Sequence, residues 1–452
     1  MLGVTTIGNA TLIAHDDKPV LVTDPWLGEE DHAYFGSWNL PHLIPPQQKQ
    51  DILQAEYVWI SHYHPDHLNP LSIEKFKNRI ILLGDHVGQR LSKGLRELGF
   101  KIQILKDKTW VDISKNIKIL CVTDYLQDSL LLVDINGKLF VNLNDSGGCG
   151  HLGFIKNIIK QYDESYLLKA VGYGAADMIN IFDEQGKRLP PRITGHKPGY
   201  QLSLFAEKLC VNHCIPFANF AHFQREDSFW ANEYEMPISS YKDGFREALV
   251  ELIEPFVFVD CSNGQIEKIN PTAVPPGCID PKEFGDDWGE PLQKGDRAIL
   301  DEYWGRKKLL KDELSFVNFR VGGVDNFIDI GGPKNKGVTV EVPRNSLMEA
   351  TKHEYFDDLL IGNFMKTTLH GIHSLHSPPI ATIVGNFADN GLVETKEEVA
   401  QYLNEYKMRA GPELSRYLFE RNLMFFVSRF VPRHSRFFPM LKNIYFRLRS
   451  VA

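Results

Sequence analysis

The chain has few cysteines, no long apolar run and no excess of positive charge. Its six cysteines among 452 residues are too scattered for a disulfide framework, a zinc ribbon, or a ferredoxin or Rieske cluster. No run approaches the roughly 18–20 apolar residues that cross a bilayer, and the first residues lack the pattern of a signal peptide. A net charge of −8 argues against a polycation that coats nucleic acid. We therefore expect a cytoplasmic protein with reduced thiols and no nucleic-acid partner.

Length and composition indicate a globular protein of several structural units. The chain is 43% hydrophobic and 24% charged, and at about 150 residues per domain it has room for about three units. The proline-rich stretch 271–286 is the clearest boundary. We predict a first domain over 1–270, a linker over 271–310, a smaller α+β module over 311–385 and a helical tail over 386–452.

Hydrophobic patterns in the first domain predict strands followed by strand–helix alternation. This order is typical of an α/β or α+β sandwich. Asn69-Pro70 has the character of an N-cap and first helical residue, and Asn136-Gly137 is a strong hairpin signal. The predicted strands are 4–7, 11–14, 20–23, 57–60, 80–83, 102–105, 117–122, 129–135 and 138–143, and the predicted helices include 70–77, 87–98, 201–210 and 241–253.

The segment SHYHPDH, residues 61–67, brings four metal-ligand side chains into one loop after an apolar strand. His62 and His64 are two residues apart in extended backbone, so both can bind one cation. Asp66 and His67 follow the turn at Pro65 and can bind a second cation. Imidazole and carboxylate together suit zinc or iron better than magnesium or calcium. The cluster therefore predicts a dinuclear metal site.

These residues match the HxHxDH signature, and the chain resembles the metallo-β-lactamase superfamily. Within it, the stretches DPWL, SWNLPHLIPP, SHYHPDHLNP, NLND and IPFANF occur in the order found in CMP-N-acetylneuraminate hydroxylases. The likeness covers most of residues 5–260 and returns weakly at 357–362, in a region that resembles a sterol-carrier-like module. The resemblance implies an αββα sandwich, two divalent metal ions, and a supporting role for Asp24 beneath the ligand loop.

The resemblance also implies three further ligands, which this sequence supplies less clearly. Asp145, at the end of a predicted strand, takes the bridging position. No histidine lies between His86 and His151, so Asp124 is the candidate for the third-histidine position and Asp128 is its rival. A carboxylate there favours iron or manganese over zinc. His222 is the candidate last ligand.

The segment that follows His222 offers an alternative. Arg225 could occupy the position of the last histidine, or Arg225, Glu226 and Asp227 could orient a polar substrate.

Three functions are compatible with these residues. The first is an iron-dependent hydroxylase acting on a small polar, nucleotide-sugar-like substrate, with electrons from a separate donor protein because the chain has no Rieske cysteines. The second is a hydrolase of an ester, amide or phosphodiester in which Asp66 holds the nucleophile. The third is a non-catalytic binding protein on a decayed site. We favour the first narrowly.

The C-terminal tail combines positive charge with aromatic residues. Residues 409–452 contain nine Lys and Arg against two Glu, interleaved with phenylalanines. Such a segment can lie weakly on an anionic membrane surface, or it can pack its aromatic side chains on the body of the protein.

Overall fold

The computed structural model describes residues 1–171, 179–190, 197–376 and 379–430. The strands are Leu2–Ile7 (β1), Thr11–Asp16 (β2), Lys18–Thr23 (β3), Trp38–Asn39 (β4), Tyr57–Ile60 (β5), Ile80–Gly84 (β6), Lys101–Leu105 (β7), Trp110–Asp112 (β8), Ile117–Thr123 (β9), Ser129–Ile135 (β10), Lys138–Asn144 (β11), Glu164–Lys169 (β12), Ile181–Phe182 (β13), His213–Pro216 (β14), His222–Phe223 (β15), Glu251–Leu252 (β16), Val257–Asp260 (β17), Ile266–Lys268 (β18), Phe316–Val321 (β19), Val324–Asp329 (β20), Gly337–Glu341 (β21) and Lys366–His370 (β22). The α-helices are Pro46–Gln54 (α1), Pro70–Glu74 (α2), Arg90–Glu97 (α3), Leu152–Ile159 (α4), Pro198–Leu209 (α5), Asp296–Gly305 (α6), Arg344–His353 (α7), Asp357–Ile361 (α8), Lys396–Ala410 (α9) and Pro412–Phe430 (α10).

Two large sheets pack face to face. Their strand orders are β18-β17-β1-β2-β3-β5-β6-β7 and β16-β14-β12-β11-β10-β9-β8. Trp59 and Leu82 of the first sheet share one buried cluster with Leu131 and Phe140 of the second. The outer faces pack against helices α1 to α3 on one side and α4 and α5 on the other. The αββα sandwich expected from the sequence is therefore confirmed.

The sandwich brings several strand ends to one edge. Strands β3 and β5 run parallel, and β11 runs antiparallel to β10, which in turn runs antiparallel to β9. The loops after β5, β9 and β11 meet at this edge, where the Ser129 amide donates to the Ser61 carbonyl oxygen at 3.1 Å. Ligands of open α/β sheets bind beyond the carboxyl ends of strands, so this edge is the expected place for a site.

A third sheet forms the core of the C-terminal module. Its order is β13-β22-β21-β19-β20, so it includes β13 from within the predicted first domain. Helix α6 lies within the predicted 271–310 linker, but it is an integral part of this module. Leu300, Tyr303 and Trp304 are apolar at helical spacing, and all three are buried in the module core.

The predicted helix over 241–253 does not form. The structure has a short 3₁₀ helix, Ile238–Lys242, followed by a turn and the two-residue strand β16. Gly244 has a φ of +73°, a left-handed conformation that interrupts a right-handed helix. The apolar residues Val250 and Ile253 are buried beside the edge of the second sheet instead.

Two arginines fasten the module to the sandwich. The buried Arg225 guanidinium donates to Asp286 at 2.7 Å and to the Phe35 carbonyl oxygen at 2.9 Å, and its carbon lies 4.0 Å from the centre of the Phe364 ring. Arg90 donates to the backbone carbonyl oxygens of His353 and Glu354 at 2.7 Å. These contacts fix the module over the edge where the strand ends meet.

Helices α9 and α10 cover the same end of the molecule. The Tyr402 hydroxyl donates to the Tyr125 carbonyl oxygen at 2.7 Å, and Tyr406 is fully buried. Residues 431–452, half of the basic-aromatic tail, lie outside the described residues. Within the part of the chain that is described, no helix has both the length and the apolar character needed to cross a membrane.

The buried Lys307–Asp389 ion pair yields the first prediction. Both side chains are at most 2% exposed, and the neighbouring Lys308 pairs with Glu394 in solvent. Lys307→Met leaves a buried carboxylate without its cation and should destabilise the module by about 3–5 kcal/mol. Lys308→Met, the matched control, should change stability by less than about 1 kcal/mol. Urea denaturation measures both, and equal shifts would contradict the assignment.

Candidate metal centre

The ligand loop is held from below by a buried carboxylate. Asp24, just after β3, accepts hydrogen bonds from the Ser61 amide and the Ser61 hydroxyl, both at 2.8 Å. Its Oδ2 also lies 3.2 Å from Nδ1 of His67 and accepts from the Asn144 side chain. Asp24 is 0% exposed. It therefore has the supporting role that the family resemblance implied.

The end of the loop is fixed by a helix cap. The Asn69 side chain accepts from the amides of Leu71 and Ser72, each at 3.0 Å, and Pro70 is the first helical residue. The Asn69 amide group also donates to the Pro65 carbonyl oxygen at 3.2 Å. The predicted cap is confirmed, although α2 ends at Glu74 instead of Lys77.

His67 is the centre of one group of potential ligands. Its Nε2 is buried and lies 3.2 Å from Asp66 Oδ2 and 3.5 Å from Asp145 Oδ2. Ligand atoms of His62, His67 and Asp145 all lie within 4.8 Å of one another. Four of the residues predicted from the sequence are thus brought together at the edge of the sandwich.

His64 belongs to a second, adjoining group. Its Nδ1 is 2.9 Å from Nε2 of His62, and its Nε2 is 3.4 Å from Oδ2 of Asp357 in α8. Ligand atoms of His64, Asp357 and Asp358 also lie within 4.8 Å of one another. The sequence offered no reason to join Asp357 to His64, because the two residues are almost 300 positions apart and belong to different modules.

Two further side chains orient Asp66. The Asn9 amide donates to its Oδ2 at 2.9 Å, and the Tyr34 hydroxyl donates to its Oδ1 at 2.5 Å. Asn9 comes from the β1–β2 turn and Tyr34 from the loop after β3. Tyr34 carried no signal in the sequence, because an isolated tyrosine is as common in a core as in a site.

The charges of this group shift several pKa values. Burial opposes the charged form of His67, but the carboxylates of Asp66 and Asp145 outweigh it and raise the pKa of its imidazole well above the usual range. Burial, together with His67 and His64, lowers the pKa of His62 well below the usual range. Opposite pKa shifts in neighbouring histidines are typical of a compact cluster that contains both like and unlike charges.

Asp124 and Asp128 are the two candidates for the third-histidine position, and their surroundings in the structure differ. Asp124 accepts from the Leu126 amide in its own turn and from the Ser146 hydroxyl after β11, each at 2.8 Å, so both of its oxygens are already engaged. Asp128 instead lies 4.0 Å from Nδ1 of His62. Asp128 is thus the nearer of the two to His62, and the choice of Asp124 as the third ligand stays a prediction.

His222 lies in a different cavity. Strand β15 pairs with β4, which aligns His222 with Asn39. The ring lines a cavity of about 510 Å³ together with His42, and no described residue forms a hydrogen bond with its Nδ1. Burial lowers the pKa of His222 to about 4. The structure does not bring this predicted last ligand to the His62–His67 cluster, because β-pairing holds it elsewhere.

Arg225, the alternative to His222 at the last ligand position, is already engaged in other contacts. The Arg225 guanidinium is 0% exposed and is engaged by Asp227, Asp286 and the Phe35 carbonyl oxygen. Four of its N–H groups are engaged in these contacts, and the side chain is fully buried, so it is not placed to orient a substrate. Arg225 therefore acts as a contact between modules.

A cavity of about 790 Å³ adjoins the cluster. Its walls come from the ligand loop, from α3 and from α7 and α8 of the C-terminal module, and they include His62, Tyr34, Arg90, Tyr355 and Asp358. Small-molecule sites commonly have volumes of about 300–1,000 Å³. The cavity is thus large enough for a ligand of moderate size.

The donor set suits divalent metal ions. Three imidazoles and several carboxylates converge, and Asp358 Oδ1 has no hydrogen-bond partner among the described residues. A buried carboxylate oxygen is normally satisfied, and a bound cation would satisfy this one. A mixture of imidazole and carboxylate ligands fits iron, manganese or zinc.

Comparisons with known proteins agree with the sequence resemblance. The chain is 32% identical over 100 residues to a Mycolicibacterium smegmatis protein named as a Rieske 2Fe-2S iron-sulfur protein, covering 22% of this chain and 18% of that one. It is 29% identical over 135 residues to the cytidine monophosphate-N-acetylneuraminic acid hydroxylase of Asterias rubens, covering 28% of this chain and 20% of that one. The chain thus matches only about a fifth of these relatives. No protein-family model matches it.

Solved structures with the metallo-β-lactamase fold are also similar. The metallo hydrolase Igni18 of Ignicoccus hospitalis matches 57% of this chain and 97% of its own at 15% identity, with a TM-score of 0.39. The metallo-beta-lactamase fold protein YhfI of Bacillus subtilis matches 58% and 97% at 11% identity, with a TM-score of 0.35. The diiron beta-hydroxylase CmlA of Streptomyces venezuelae matches 48% and 45% at 13% identity, with a TM-score of 0.33. These likenesses are distant and leave the reaction open.

The different environments of Asp124 and Asp128 yield the second prediction. Asp128→Ala should weaken the binding of one ion, because it removes the carboxylate beside Nδ1 of His62. Asp124→Ala should keep the metal but destabilise the fold by about 1–3 kcal/mol, because the Leu126 amide and Ser146 hydroxyl lose their acceptor. Elemental analysis and thermal denaturation separate the two effects. Metal loss in Asp124→Ala alone would reverse the assignment.

Proposed function

We propose that the chain is a dinuclear metalloenzyme that hydroxylates a small polar substrate with molecular oxygen. The observation that carries this proposal is the carboxylate-rich ligand set, with Asp66, Asp128 and Asp145 around three histidines. Carboxylate oxygens are harder ligands than a third histidine would be, so they favour iron over zinc. Names of the curated relatives, which include sialic-acid hydroxylases, support the same class.

In this proposal each residue has a distinct role. His62 and His64 would hold one cation, and Asp66, His67 and Asp145 would hold the second. Asp128 lies beside Nδ1 of His62, the nitrogen that faces away from His64, and would orient that ring. Asn9 and Tyr34 fix Asp66, and Asp24 fixes His67. Two irons at this position would supply the redox chemistry that dioxygen requires.

The reaction needs an external source of electrons. Insertion of one oxygen atom into a C–H bond consumes dioxygen, two electrons and two protons, and it gives the alcohol and water. The chain has no cysteine pattern for an iron–sulfur cluster, so we assign the electrons to a separate donor protein. The 790 Å³ cavity accommodates a substrate as large as a nucleotide sugar.

Metal-dependent hydrolysis is the second candidate. It is favoured by Asp66, whose carboxylate is held by two hydrogen bonds and lies 3.2 Å from His67 Nε2. A carboxylate held in this way can accept a proton from an attacking water. In a two-metal site the same arrangement would cleave an ester, amide or phosphodiester.

The metal content of anaerobically purified protein yields the third prediction. We expect two irons per chain and a visible spectrum that changes on exposure to oxygen, because carboxylate-rich sites favour iron. His67→Ala should abolish the binding of at least one ion, whereas His370→Ala, at the end of β22 in the module sheet, should leave both. If the protein instead contained two zinc ions and hydrolysed generic phosphodiesters or esters, hydrolysis would replace hydroxylation as the proposed function.

A further inference from the structure

The C-terminal module contributes a carboxylate to the ligand loop of the sandwich. Asp357 of α8 has its Oδ2 3.4 Å from Nε2 of His64, and the same oxygen accepts the Tyr63 hydroxyl. The Asp357 side chain is 17% exposed. Contact between modules therefore occurs directly at a predicted metal ligand.

The two nitrogens of His64 have different surroundings. Nδ1 faces Nε2 of His62 at 2.9 Å. Two nitrogens that each lie about 2.0–2.1 Å from one zinc ion are separated by roughly 3 Å, so this pair is already spaced for a shared cation. The remaining nitrogen, Nε2, is the one that faces Asp357.

From this arrangement, and resting on the proposed metal centre, we propose that Asp357 is a positioning residue that completes the centre from the C-terminal module. Its carboxylate accepts the proton on Nε2 of His64, which leaves the lone pair of Nδ1 directed at the cation. Histidine ligands almost always donate their second nitrogen to a carboxylate, carbonyl or water in this way.

His67 provides an internal parallel. Its Nδ1 lies 3.2 Å from the carboxylate of Asp24, while its Nε2 faces Asp66 and Asp145. Asp24 comes from the sandwich itself, whereas Asp357 comes from the other module. The two histidines thus have the same kind of partner from two different parts of the chain, so the sandwich alone provides only one of the two.

The fold leaves space for the Asp357 carboxylate. Phe356 and Leu359, on either side of it, are buried in the module core and fix the start of α8. A Cβ built on Gly385 would lie 2.7 Å from Oδ2 of Asp357. Any side chain at 385 would therefore push the carboxylate away from its place beside His64.

The fourth prediction concerns metal affinity, measured by chelator competition with zinc(II) and, without oxygen, with iron(II). Asp357→Ala should weaken binding ten- to a hundredfold while two ions still bind at saturation, because a positioning group is lost and a ligand is not. Asp357→Asn keeps an acceptor oxygen and should retain part of the affinity. Gly385→Ala should weaken binding while keeping the carboxylate.

Matched controls separate positioning from general damage. Glu349→Gln removes an exposed carboxylate from the cavity rim, and Asp296→Asn weakens the largely buried Asp296–Arg344 ion pair of the same module. Neither should change metal affinity more than about threefold, although Asp296→Asn should lower the melting temperature. In ¹⁵N-histidine-labelled, zinc-loaded protein, the Nε2 proton of His64 should exchange slowly with solvent in the wild type and rapidly in Asp357→Ala.

Two outcomes would overturn the inference and leave the proposed function standing. Wild-type affinity in Asp357→Ala would show that His64 needs no partner from the module. Loss of one ion at saturation would make Asp357 a ligand instead of a positioning residue. If the wild-type protein bound neither zinc nor iron, or if His62→Ala bound them as tightly as the wild type, the proposed metal centre itself would be refuted.

Discussion

Several hydrogen-bonding groups converge on the buried carboxylate of Asp24, and they come from three different segments. The Ser61 amide and hydroxyl, Nδ1 of His67 and the Asn144 side chain all lie against it. An unpaired carboxylate would be very costly at 0% exposure, so these contacts are strongly coupled to one another. They fix the ends of β3, β5 and β11 at one edge of the sandwich. The positions of the SHYHPDH loop and of Asp145, which follows Asn144, depend on that constraint.

The cluster above Asp24 is unfavourable for the fold without a cation. Burial, together with the charges of Asp124 and Asp145, raises the pKa of Asp128 well above its usual range. A core of this composition would be more stable if it were apolar. Proteins retain such departures from good packing mainly at functional sites, where a bound ion offsets the repulsion. The energetic argument and the ligand geometry therefore lead to the same interpretation.

Local sequence signals predicted the features that depend on residues close together in the chain. Asn69-Pro70 predicted the start of α2, Asn136-Gly137 predicted the β10–β11 turn, and the SHYHPDH motif predicted the ligand loop, because each depends on residues only a few positions apart. Spacing could not decide between Asp124 and Asp128, since the choice depends on which carboxylate the Leu126 amide and Ser146 hydroxyl engage. His222 and Asp357 depend on pairing between distant segments, which no local pattern encodes. The helix predicted over 241–253 does not form because Gly244 adopts a positive φ.

The contact between modules links stability to the proposed chemistry. The cavity beside the cluster has walls from both the sandwich and the C-terminal module, so it exists only while the two remain joined. That junction depends on Arg225, which is fully buried and paired with the equally buried Asp286, and on Arg90, which engages backbone carbonyls of the module. Loss of either partner of the buried pair would leave an uncompensated charge and loosen the same surface that holds Asp357 beside His64. Changes far from the metal ligands at this interface should therefore act on the site through the geometry of α8.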